Sequence, residues 1–453
     1  MHRFPLALLC LLALAVPAAT QASTTQTVSF EAPGDLLDPA KTEATLNTIA
    51  GLGTHALRVI LYWHNVSPSP NSSTKPAGLN EADSAVYDWS KYDAIVNGAK
   101  ARGWKVLLTV SGPAPKWGTL GRRDTVTHPD PNQFAQFVQA VAQHYGTKID
   151  LWSIWNEPNH PDFLRPQFFR GQPASGEWYR KLFLGALRGF KAAKLPHAKV
   201  LMGETAPVGT SHELSPLVFL RQALCLNASY HKKAGCKELP IHGYAHHAYT
   251  RKPGPYWHPG NPNDVSIGTL SRLTRALDRA ARAHAIPRHV PIYLTEFGIQ
   301  STPDPVYGVS QLRQAEYRAI SEWIAWKNPR VRWFSQYLLD DDPHKTSGPK
   351  IARYPGFESG LRFANGRPKL SFKAFPLPLA ALRSGHTVTL WGQARLAPRR
   401  TTVLILANGK TYKRLRTNSH GYFQRRVPYV HGRKYSLVWG GKRAPAMRVY
   451  ARP

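Results

Sequence analysis

From Thr27 onward, short apolar runs alternate with longer amphipathic ones. The apolar runs are Thr27–Ala32, Ala56–Trp63, Lys105–Ser111, Ile149–Trp155, Val200–Glu204, Ile241–Tyr249, Pro291–Phe297 and Val331–Leu339. Their length and their β-branched and aromatic content fit strands buried on both faces. Between them lie segments of helical period, among them Asn132–Tyr145, Trp178–Lys194, Ile267–Ala285 and Gln311–Trp326. Asp130 and Asn132 around Pro131 mark one helix start, and Gly146 marks its stop. Eight strands separated by helices predict an α/β fold, a (β/α)8 TIM barrel. A doubly wound open sheet is the alternative. It predicts a glycine-rich phosphate turn after an early strand, and the sequence has none.

Beyond Phe375 the pattern changes. Pro376, Pro378 and the small residues around them read as a linker. His386–Gln393, Thr402–Leu406, Lys410–Arg416, Tyr422–Val427 and Lys434–Trp439 then read as short strands between Gly, Asn and Pro turns. With the Asn418–Phe423 turn (NSHGYF), they resemble a small all-β, immunoglobulin-like sandwich. The expected organisation is a leader over 1–22, a barrel over 23–377 and a basic β-sandwich over 378–453.

The first segment sets the compartment. His2 and Arg3 precede an apolar run, Leu6–Val16, and a small-residue stretch with Pro17, Ala18, Ala19 and Ala22. This is the pattern of an export signal. The run is too short to span a bilayer, and no later segment reads as a span. A secreted, extracellular protein is expected. Cys10 leaves with the leader, and the remaining Cys225 and Cys236 are expected to form a disulfide closing a short loop. No Cys/His spacing fits a zinc site, and no metal or cofactor is expected.

Charge adds a partner question. The formal net charge is +32, and Arg383–Pro453 holds 16 Lys and Arg with no Asp or Glu, half of the excess. Such a field draws polyanions, so this segment is expected to be retained on an acidic cell-surface polymer. The competing reading is that the charge serves solubility. Nucleic acid is not expected, given the export signal and the absence of a recognition motif.

The chemistry lies at strand ends. Leu151–Asn159 reads LWSIWNEPN, an aromatic strand that stops at Glu157-Pro158 because proline cannot continue a sheet. Pro291–Gln300 reads PIYLTEFGIQ, a second strand that ends on a carboxylate, Glu296. A carboxylate at the end of a buried strand is costly unless paired or working. In a barrel, distant strand ends converge on one mouth. Two carboxyl groups flanking one bond are what glycoside hydrolysis requires. The 13 Trp of the chain include candidates for stacking on sugar rings, of which Trp63 and Trp257 follow strands two and six.

Asn-Glu-Pro at 156–158 and Thr-Glu-Phe-Gly at 295–298 resemble the catalytic strands of clan A retaining glycoside hydrolases, of the family 5 cellulase-like and family 39-like kind. The resemblance covers roughly Val28 to Phe375. It implies Glu157 as acid/base on strand four and Glu296 as nucleophile on strand seven. It implies that Arg58 contacts the nucleophile and that Asn156 binds the sugar 2-hydroxyl. His247-Ala248-Tyr249 is similar to the His-x-Tyr of strand six, with the tyrosine on the nucleophile and the histidine near the acid/base. Strand alternation leaves open whether His246 or His247 points inward. Strand eight departs from the pattern: its end carries Gln336 and Tyr337 where family 5 enzymes often carry a tryptophan, and Trp333 comes early. Glu204, ending strand five, reads as a structural carboxylate. Asp340, Asp341 and Asp342 read as a solvated loop rather than a calcium site. The resemblance implies a secreted hydrolase acting on a poly- or oligosaccharide. The alternative is a non-catalytic polysaccharide-binding protein on a barrel scaffold.

Overall fold

A computed structural model describes residues 26–451. The expected leader at 1–22 lies outside them. Eight parallel strands close a barrel: β1 (Thr27–Glu31), β2 (Ala56–Tyr62), β3 (Lys105–Ser111), β4 (Leu151–Ile154), β5 (Val200–Thr205), β6 (Gly243–His247), β7 (Ile292–Glu296) and β8 (Val331–Tyr337). Each pairs with its neighbours in sequence, and β8 closes on β1. Around them stand α1 (Thr42–Gly51), α2 (Ser90–Ala101), α3 (Pro131–Tyr145), α4 (Ser175–Ala192), α5 (Pro216–Ala223), α6 (Leu270–Arg282), α7 (Gln311–Lys327) and α8 (Leu370–Ala374). The strands are apolar throughout because helices cover the outside and side chains fill the inside; β5 is buried along its whole length. The start of α3 is fixed locally. Asp130 accepts a hydrogen bond from the Asn132 N–H at 2.8 Å, Pro131 occupies the first turn, and Gly146 ends the helix at φ 46°.

The barrel interior is built in layers. Ala56, Leu107, Leu201, Ala245 and Trp333, from five strands, form a buried cluster. Trp333 therefore belongs to this packing layer. Two residues further along the same strand faces lie Arg58 and Thr109, where the interior turns polar.

The C-terminal region forms two sheets. One has the order β13 (Tyr422–Pro428), β10 (Thr387–Gln393), β9 (Leu379–Ser384), β17 (Tyr450–Ala451). The other has the order β12 (Lys410–Arg416), β11 (Thr402–Ala407), β14 (Lys434–Trp439), β15 (Lys442–Arg443), and β16 (Met447–Arg448) also pairs with β14. Val388 and Leu390 of the first sheet and Val403, Ile405 and Leu437 of the second share one core. The segment read as a linker is in fact strand β9. Its small residues are buried on both faces: Leu379 and Ala381 join the sandwich core, while Ala380 and Leu382 pack with Ile320 and Trp323 of α7. Polar contacts reinforce that seam. Glu322 of α7 pairs with Arg318 at 2.9 Å and with Arg395 at 2.8 Å, all three buried, and Glu316 pairs with Arg448 at 2.7 Å.

Candidate active site

Arg58 is the hub of the barrel mouth. Its guanidinium is fully buried. Nη1 donates to Glu31 and, at 2.6 Å, to Oε1 of Glu296. Nη2 donates to Glu204 and, at 2.8 Å, to Oδ1 of Asn156, and Nε donates to Thr109 Oγ1 at 3.3 Å. One cation thus gathers the ends of β1, β4, β5 and β7. Three carboxylates exceed what one guanidinium neutralises. Burial pushes the Glu31 carboxyl well above its ordinary value, against the opposing pull of Arg58. Glu204 takes the structural position read from the sequence. Glu31 was missed there, although it is the last residue of its strand just as Glu296 is of β7.

Glu296 has partners on both carboxylate oxygens. Besides Arg58, its Oε2 accepts from the Tyr249 hydroxyl at 3.0 Å, and His247 Nδ1 lies 3.4 Å from the same oxygen. Burial alone raises its carboxyl, but the charges of His247 and Arg58 and the hydrogen bonds from Arg58 and Tyr249 outweigh that and hold it below its ordinary value. His247 Nδ1 also lies 2.8 Å from Glu157 Oε1. Burial lowers the His247 ring, yet the two glutamates more than offset this and raise it. The strand-six ambiguity is resolved: His247 faces the mouth. His246 faces away, between Thr205 Oγ1 and the Val265 carbonyl at 2.9 Å each, and burial lowers it to about 3.

Glu157 is presented by an unusual backbone. Trp155 (φ 69°), Glu157 (φ 38°) and Glu204 (φ 57°) all lie in the left-handed region, and the Glu157 N–H donates to the Glu204 carbonyl at 2.9 Å. Backbone strain of this kind collects where a side chain must be aimed. The Glu157 side chain is 16% exposed and that of Glu296 9%, so both reach the open mouth. One polar atom from each of Glu157, His247 and Glu296 lies within 4.8 Å of the others. Such spacing also suits a metal ion; the hydrogen bonds among these groups, Arg58 and Tyr249 account for the same closeness.

A cleft of about 270 Å³ opens beside Glu157, lined also by His160, Tyr249, Trp257, Tyr307 and Phe357. Trp257 is thus at the cleft, with the Arg251 guanidinium 5.1 Å above its ring. Trp63 is not. It opens a helical turn at Trp63–Val66 that carries it beneath α3, where it is fully buried, stacked on Phe137 at 5.3 Å and edge-on to Trp117 at 6.0 Å. Tyr337 holds the end of β8, edge-on to Phe357 at 5.2 Å. The Asp340–Asp342 run is not a solvated loop either. Asp340 pairs with Arg362, Asp341 is buried against Lys369 Nζ at 2.6 Å, and Asp342 accepts from the Phe357 N–H at 2.7 Å. Cys225 and Cys236 are joined as a disulfide.

Residues 18–167 match the family model for Cellulase (glycosyl hydrolase family 5). The match includes β1 to β4 and Glu157 and stops short of β7. No curated protein sequence matches the chain. Among solved structures, the chain is similar to a family 39 glycoside hydrolase from the gut symbiont Bacteroides cellulosilyticus WH2, with a TM-score of 0.54 and 16% identity over 92% of this chain and 81% of that one. It is also similar to a glucosidase from Croceicoccus marinus, with a TM-score of 0.52 and 11% identity over 90% of this chain and 94% of that one. At such identities the likeness is one of fold. Residues 18–167 thus resemble a family 5 cellulase in sequence, and the whole chain shares the barrel fold of these two glycosidase structures.

Proposed function

We propose that this protein is a secreted glycoside hydrolase that works by a retaining double displacement. The observation that carries the reading is the approach of Glu157 and Glu296, whose polar atoms lie within 4.8 Å across His247. Retaining enzymes hold their carboxyl groups roughly 5–5.5 Å apart, whereas inverting ones leave roughly 6.5–9.5 Å for a water. Glu296 attacks the anomeric carbon as nucleophile. Arg58, Tyr249 and His247 keep it ionised for that step. Glu157 gives its proton to the glycosidic oxygen as the C–O bond breaks, leaving a glycosyl ester on Glu296. Glu157 then takes a proton from water, the water oxygen bonds to the anomeric carbon, and the Glu296 carboxylate departs. His247 orients Glu157 through their 2.8 Å contact. In this reading Asn156, whose Oδ1 accepts from Arg58, binds the sugar 2-hydroxyl.

The test is Glu296→Ala assayed with azide on aryl glycosides of glucose, xylose, mannose, arabinose and galactose. Loss of turnover, partial rescue by azide and an inverted glycosyl azide are expected. Wild-type turnover that survives Glu296→Ala contradicts the assignment. The proposal extends to location: the leader exports the chain, and the exposed Arg414, Arg416, Arg425, Arg426, Lys442 and Arg443 retain it on an acidic cell-surface polymer. Such binding weakens steeply with salt, and retention on an acidic polysaccharide column unchanged at 0.5 M salt, roughly a 4–5 Å Debye length, contradicts it.

A further inference from the structure

The cleft touches only one of the two glutamates. Glu157 lies in its wall, whereas Glu296 and Asn156 do not. In a double displacement the proton donor stands on the side from which the leaving group departs, and the nucleophile attacks from the opposite face. The cavity beside Glu157 is therefore the place of the leaving group.

Its wall is mainly apolar. Beside its aromatic rings, Pro207, Val208, Ile299 and Val309 present aliphatic surface, which offers hydroxyls no hydrogen bonds. Most of the polar groups nearby are already engaged, Gln300 Oε1 being the exception. His160 Nε2 pairs with Glu213 at 2.8 Å, Thr250 Oγ1 donates to the Gly254 carbonyl, and Lys252 Nζ donates to the Val306 carbonyl at 3.3 Å. The Trp257 ring carries the Arg251 guanidinium. Each sugar hydroxyl buried here without a partner costs roughly tenfold in affinity. The rim continues the same character: Tyr307 is 57% exposed and Phe357 37%, so both await cover.

Resting on the glycosidase reading above, we infer that the leaving group is apolar, an alkyl or aryl alcohol. This narrows the expected poly- or oligosaccharide to glycosides of apolar alcohols. The chemistry is unchanged. Glu157 protonates the glycosidic oxygen, and the alcohol departs into the aliphatic cavity.

The experiment compares kcat/KM for three glycosides of each common sugar in both anomeric forms: the methyl glycoside, the octyl glycoside and the disaccharide of that sugar. Burial of each methylene adds roughly fourfold. The octyl compound is expected to exceed both the methyl glycoside and the disaccharide at least tenfold, and Val208→Asp to lower the octyl-to-methyl ratio. Turnover with the disaccharide equal or preferred overturns the inference and leaves the glycosidase reading standing. No turnover of any glycoside overturns the glycosidase reading, and the inference with it. The wild-type comparison decides even where Val208→Asp fails to fold.

Discussion

Replacing Arg58 with methionine removes the charge that organises the mouth while keeping most of the stem. The guanidinium makes contacts to Glu31, Glu204, Glu296 and Asn156 from a fully buried position. Hydrogen bonds to charged groups contribute roughly 1.5–3 kcal/mol each, so these four together sum to roughly 6–12 kcal/mol before any relaxation. The stranded carboxylates escape part of this by taking up protons, because a lone buried charge neutralises before it unfolds the site. The expected loss is therefore about 3–5 kcal/mol at pH 7, as for other buried pairs broken on one side. A second effect has a definite sign. Glu296 must be ionised to attack, and in the wild type it is held below its ordinary value of 4.5, so the acid limb of kcat/KM lies below that pH. Without Arg58 the burial that already pushes Glu296 up meets less opposition, and the limb moves to higher pH. Urea unfolding at pH 7 and a pH–rate profile on an activated aryl glycoside measure both. A stability loss under about 1 kcal/mol together with an unmoved acid limb refutes the reasoning.

Other substitutions separate packing from function. Trp63→Ala empties a core site and is expected to cost about 3–5 kcal/mol in urea unfolding. Trp257→Ala at the cleft is expected to leave stability within roughly 1 kcal/mol and to raise KM instead. Glu322→Gln strands Arg318 and Arg395 between barrel and sandwich and is expected to cost about 3–5 kcal/mol at pH 7. Burial raises the Glu322 carboxyl, but the two arginines outweigh it and hold it below 4.5. Its contribution is therefore present above that pH and fades as pH falls through the lowered value. The gap in melting temperature between wild type and Glu322→Gln should narrow from pH 7 to pH 3; a constant gap contradicts the pairing.

Much of the barrel was legible because its strands are apolar on both faces and stand out as runs, so their bounds fell within a few residues of β1 to β8. Glu157 and Glu296 were legible because a carboxylate at the end of such a run is anomalous. Glu31 obeys the same rule but sits in no motif, and only the approach of β1 to β2 brings it to Arg58. The placement of Trp63 failed because alternation ends with the strand: the turn at Trp63–Val66 rotates the ring under α3. The Asp341–Lys369 pair spans 28 residues and leaves no local pattern. Strand β9 was hidden by its small residues, which read as a linker until α7 is seen to cover one face and the sandwich core the other.

The central claim is that Glu296 forms a covalent glycosyl ester which Glu157 helps water to release. The most direct measurement is proton NMR of the first-formed sugar during hydrolysis of an aryl glycoside by the wild type. The account predicts a product that keeps the anomeric configuration of the substrate before mutarotation. A first product of inverted configuration contradicts it.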